Sequence, residues 1–170
     1  MLRHSVLGVL LLLACAGSEP QDWEEQEWQP DLYVAEIPVI GGAEEKEIAA
    51  LERVGDAIQE LYPGIEYTEP VIFVRDPDQK LPELCSDGGC ADTWREYPKV
   101  VKASLFPGDE WYGGLEVRGK YIFVSRIGAD RHRLTFLLCH EFSHFLCRCP
   151  DGEESAEVTH ALFHSIKSSR

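Results

Sequence analysis

From Ala43 to Tyr62 the apolar positions recur at three- and four-residue steps: Ile48, Leu51, Val54, Ile58 and Leu61. That period puts them on one stripe of an α-helix. Glu44, Glu45 and Glu47 fall in its first turn, where the helix dipole favours anions, and Pro63-Gly64 stops it. The pattern then changes to short apolar runs. Val71 to Arg75 reads as a strand ended by Asp76-Pro77-Asp78, and Lys99 to Leu105 as a second strand. Leu115 to Ser125 reads as a hairpin or as one long bulged strand, with Tyr121–Ser125 its secure part. Helical spacing returns near Arg131, with Asp130 as a candidate N-cap. It runs through Leu134, Leu137, Leu138, Phe142, Phe145 and Leu146. Cys149-Pro150-Asp151-Gly152 is a turn, and Glu153 to about Lys167 a final helix.

This order predicts an α+β domain over residues 41–170. A small mixed sheet of about three to four strands would carry an N-terminal helix, a central helix and a C-terminal helix. Residues 1–15 have the form of a signal peptide. The apolar run from Val6 to Ala14 is too short to span a bilayer but suits an export signal. Leu12-Leu13-Ala14-Cys15 resembles a bacterial lipobox, in which Cys15 would become the lipid-bearing first residue. An ordinary secretory signal cut nearby is the other reading. The chain is thus expected to be exported, either lipid-anchored to the bacterial cell envelope or secreted. Residues 16–40 are acidic, punctuated by proline and without apolar period, so they read as a flexible linker. Trp23 and Trp28 in it are expected to pack locally.

Charge narrows the partners. The chain carries a formal net charge of −14, which would repel a phosphate backbone and argues against a nucleic-acid partner.

The central helix carries the chemistry. His140-Glu141-Phe142-Ser143-His144 is an HExxH motif. Residues four apart lie one turn apart on one helix face, so both imidazoles can reach one ion. Neutral imidazole is a good Zn²⁺ ligand. Glu141 borders that ion and suits a general base taking a proton from water. In so apolar a helix, these polar groups would be costly unless something satisfied them.

An HExxH helix following a strand such as Tyr121–Ser125 resembles the zincin metallopeptidases. The Gly and third His of the metzincin pattern are absent from Phe145-Leu146-Cys147-Arg148-Cys149-Pro150, and the only methionine is Met1. The chain therefore looks closer to a short gluzincin, which implies one Zn²⁺ completed by a Glu from the following helix. Positions equidistant from the turn in a helical hairpin face each other. Counting outward from Pro150 favours Glu157, with His160, Glu153, Glu154 and His164 as alternatives. His160 is otherwise a candidate for a supporting or oxyanion-stabilising role, and Tyr112 is a weaker oxyanion candidate. The implied activity is peptide-bond hydrolysis, with a peptide or protein substrate. The Tyr121–Ser125 strand could pair with that substrate through its edge. The thirteen-residue step from His144 to Glu157 is shorter than gluzincins use, so metal binding is better supported than proteolysis.

Cysteines add one constraint. If Cys15 is lipidated, Cys85, Cys90, Cys139, Cys147 and Cys149 remain. Export permits disulfides. Cys85 can close on Cys90, or either can pair with Cys147 or Cys149, while Cys139 is the odd one out. A zinc site of four cysteines is a weaker reading. Two functions from different classes follow: a zinc metalloendopeptidase, or a non-catalytic zincin-like envelope lipoprotein that binds or supports.

Overall fold

Val71-Ile72-Phe73-Val74 is apolar at every position because it is buried on both faces, and the architecture follows from that. The computed structural model describes residues 28–86, 89–97, 113–127, 131–150 and 152–169. In chain order these form β1 (Leu32–Val34), β2 (Ile37–Ile40), α1 (Glu45–Leu61), β3 (Val71–Val74), β4 (Lys80–Ser86), β5 (Gly89–Thr93), β6 (Gly114–Val117), β7 (Tyr121–Ser125), α2 (Arg131–Cys147) and α3 (Glu153–Ser168). The fold is a mixed α+β arrangement, with three helices among the described residues. Its main sheet has five strands in the order β1-β2-β3-β7-β6. β2, β3 and β7 run parallel, while the outer strands β1 and β6 are antiparallel to their neighbours.

One face of this sheet packs on the helices. Val71, Phe73, Ile122 and Val124 meet Leu51, Val54 and Ile58 of α1, Leu134, Leu138 and Phe142 of α2, and Leu162 and Ile166 of α3 in one core. The alternate residues Ile72, Val74 and Phe123 point the other way, onto Leu81, Ala91, Trp94 and Tyr97. Those belong to the β4–β5 hairpin, a separate two-stranded sheet, and to the residues just after it. Each large apolar side chain buried this way gains about 1.5–3 kcal/mol over exposure, so strands apolar on both faces need both layers.

Three expectations change, and one that was open closes on the hairpin. The main sheet has five strands rather than three or four, and a second sheet covers it. The expected linker over 16–40 already contains β1 and β2 by Leu32. Their connecting residues Ala35 and Glu36 both take positive φ, +48° and +66°. That is the backbone of a two-residue hairpin turn, reached without the Asn-Gly signal that marks it in sequence. Leu115 to Ser125 resolves into a hairpin with Lys120 N–H on the Val117 carbonyl at 2.8 Å. Last, β7 lies between β3 and β6, so it has no free edge for a peptide. Among the described residues the edge on that side is β6. The strand expected over Lys99 to Leu105, and the residues 1–27 that hold the expected signal and Cys15, lie outside the described residues. No described helix is long and apolar enough to cross a membrane.

A candidate metal centre on the central helix

α2 starts at Arg131 and keeps its apolar stripe through Phe145, which fixes its rotation against the sheet. That rotation sets the motif. His140 and His144 are half-buried, one turn apart, while Glu141, Phe142 and Ser143 are buried. The two imidazoles meet edge to face with centroids 4.8 Å apart, and their Nε2 atoms stand 3.4 Å apart. Two nitrogens bound tetrahedrally to zinc at about 2.0–2.1 Å are themselves about 3.3–3.4 Å apart. The pair is thus spaced for one zinc ion without a change of rotamer.

The tautomer of His144 follows from its partner. Its Nδ1 lies 2.9 Å from the Cys149 carbonyl. A carbonyl only accepts, so Nδ1 carries the proton and donates. Nε2 then keeps its lone pair, on the side facing His140. A backbone carbonyl behind a metal-binding imidazole is the usual device for fixing ring orientation.

Glu141 is 3% exposed. It lies against the backbone of β6: a Cβ added at Gly114 would come within 2.5 Å of its Cγ and 2.6 Å of its Cδ, and within 2.4 Å of the Phe123 carbonyl oxygen. Only glycine fits there. Gly114 is therefore a site residue that the motif alone does not reveal. The signal was present in the Gly113-Gly114 pair at the start of a strand, a composition that marks close backbone approach.

The expected third ligand is not brought in. α3 buries Ser155, Thr159, Leu162 and Ile166, and that stripe leaves Glu157 exposed. Among the described residues, no third His, Cys, Asp or Glu atom joins the two imidazoles within 4.8 Å. Counting outward from the turn gives the level of a residue along a helical hairpin but not its rotation, which burial of the 155/159/162/166 stripe sets. Glu153, Glu154, His160 and His164 are exposed as well, and His164 Nδ1 sits 3.2 Å from its own Ser168 hydroxyl. His160 therefore stands apart from the pair. Tyr112 lies outside the described residues.

Both disulfides close locally. Cys85 pairs with Cys90 across the β4–β5 hairpin, and Cys147 with Cys149 at the end of α2. Neither links the hairpin to α2. Among the described residues Cys139 is the free, buried thiol, and burial pushes its pKa up to about 12. Glu83, Cys85 and Cys90 form one group of potential metal donors, but both sulfurs are committed to a disulfide.

Two further features flank α2. Glu69 is buried, with one carboxyl oxygen accepting from Gly119 N–H at 2.6 Å in the β6–β7 turn. Burial pushes its pKa up to about 7, opposed by that N–H and reinforced by the Glu116 carboxyl beside it. Tyr67 meets Phe142 edge-on and stacks on Phe145. It also lines a groove of about 900 Å³ that includes Trp28, Tyr33, Pro70 and Tyr121.

No family, curated protein or solved structure matches this chain.

Proposed function

We propose that the chain is a zinc-dependent hydrolase, a metalloendopeptidase, with His140 and His144 holding one Zn²⁺ and Glu141 as its general base and acid. The observation that carries the reading is the 3.4 Å separation of the two Nε2 atoms with the His144 proton committed to Nδ1. A zinc ion there would polarise a carbonyl and acidify a water. Glu141 accepts the proton from the attacking water and then delivers it to the leaving amine. Its seat against Gly114 fixes the carboxylate beside the edge of β6. Unpaired among the described residues, that edge would offer main-chain hydrogen bonds to an extended peptide, and it takes the role expected of Tyr121–Ser125. Glu157 is left out of the ligand set because it faces solvent.

Residues 1–15 support an exported chain anchored through Cys15. Incorporation of labelled fatty acid that disappears in Cys15→Ser tests that part.

The decisive experiment is metal analysis beside hydrolysis of a peptide library. One zinc per chain is expected in the wild type and none in His144→Ala. Glu141→Gln should keep the zinc and lose the hydrolysis. Equal hydrolysis by wild type and Glu141→Gln would overturn the enzyme reading.

A second reading, a non-catalytic binding module, is favoured by the outward Glu157 and by the aromatic groove at Tyr67 and Tyr121. Stoichiometric zinc without hydrolysis of any peptide would select it.

A further inference from the structure

The end of α2 is closed in an unusual way. Arg148 takes a φ of +54°, in the left-handed region that a non-glycine residue enters at a cost. Three contacts hold it there. The disulfide between Cys147 and Cys149 spans it. The Arg148 N–H donates to the His144 carbonyl at 2.8 Å. The Arg118 guanidinium, from the β6–β7 turn, donates to the Arg148 carbonyl at 2.6 Å. The result is that the Cys149 carbonyl turns back along the helix to accept from His144 Nδ1.

We infer that the Cys147–Cys149 disulfide is a redox-sensitive positioning element: closed, it fixes the tautomer and orientation of His144, and opened, it loosens that imidazole and the metal grip with it. The inference deepens the zinc-site reading and rests on it for the metal. Without the bridge, nothing covalent keeps Arg148 left-handed. The backbone can relax to an ordinary helix end, and the Cys149 carbonyl leaves Nδ1. A dithiol reductant supplies the opening: two electrons and two protons pass to the sulfurs, giving two thiols, while the dithiol becomes a cyclic disulfide. Cys139 is fully buried and so is no competitor in that exchange. The other bridge, Cys85–Cys90, reports on reduction without touching the histidines.

The test uses the full chain, oxidised or reduced with dithiothreitol that is then removed under anaerobic conditions, with Cys147→Ser/Cys149→Ser and Cys85→Ser/Cys90→Ser as companions. Two readouts are taken: ¹⁵N imidazole spectra without metal, and Co²⁺ titration followed by its visible absorption. In the oxidised wild type, His144 should appear as the Nδ1–H tautomer. Reduction should mix the tautomers and weaken Co²⁺ binding by about 10- to 100-fold, the usual cost of losing a group that orients a ligand. The 147/149 double variant should match the reduced wild type and ignore the dithiol. The 85/90 double variant should respond like the wild type. If the 147/149 variant fails to fold, the reduced wild type carries the comparison. A His144 tautomer unchanged by reduction would overturn the inference, as would Co²⁺ bound with equal affinity by both forms. New sulfur-to-cobalt charge-transfer bands in the reduced 85/90 double variant would overturn it too, because Cys147 or Cys149 would then be a ligand. If neither form binds Co²⁺ but the tautomer still responds, the positioning role stands and the zinc reading falls.

Discussion

The two disulfides are alike in chemistry and opposite in setting. Cys85 and Cys90 are directly opposed across the β4–β5 hairpin, and both are exposed. Cys147 and Cys149 are two residues apart, at the junction of two packed helices, with the Cys149 carbonyl on His144. The first closes the larger loop and belongs to the layer that covers the sheet. The second closes almost no chain, yet it shapes the backbone behind a candidate ligand. A covalent bond can therefore matter little for the unfolded chain and much for a site, or the reverse.

The largest effect expected is on chemistry. Glu141→Gln should lower hydrolysis by about 10²- to 10⁴-fold, the span of positioned acid–base catalysis, with zinc content unchanged. A peptide-cleavage assay beside metal analysis reads this directly. Next comes the crossing of the two disulfides. Loss of the 85–90 bridge should cost about 2 kcal/mol by the loop-closure relation, and loss of the 147–149 bridge less. Only the second should weaken metal binding. Urea unfolding of both double variants, each beside a Co²⁺ titration, breaks the comparison if the two costs fail to cross.

Gly114→Ala comes third. Its Cβ would collide with the Phe123 carbonyl and the Glu141 side chain, so about 1–3 kcal/mol of stability should go, as in other overpacked sites. Hydrolysis should fall even at temperatures where the variant remains folded. A thermal melt paired with an activity assay separates the two effects.

The smallest effect is one of pH. Burial holds the Glu69 carboxyl at about 7, above its ordinary 4.5. A carboxyl with a raised folded pKa gives stability that is complete below 4.5 and is lost as pH rises through about 7. The wild type should therefore lose urea resistance across that window. Glu69→Gln should flatten that part of the profile, and an unchanged slope would assign the effect elsewhere.

Parts of this molecule were legible from local pattern. The α1 stripe, the double-faced strand at Val71–Val74, the α2 start near Arg131 and the α3 span follow from period and punctuation within one segment. The same holds for the imidazole pair, because four residues on one helix fix a distance whatever surrounds them. The β1–β2 hairpin was hidden because Ala35 and Glu36 enter the left-handed region without a turn signal. The β4–β5 layer was hidden because Pro82 and a register shift between Lys80 and Leu84 break its alternation, and because its role is to cover a face that sequence alone could not assign.

By itself the chain determined the three described helices, a mixed sheet and two imidazoles one turn apart, all consequences of residue spacing within single elements. Tertiary packing decided the rest. It made β7 interior, left β6 at the edge among the described residues, seated Glu141 on Gly114, and turned Glu157 to solvent. The reason is physical: the rotation of a helix and the neighbour of a strand are set by which apolar stripes must be buried together, and that is a property of several segments at once.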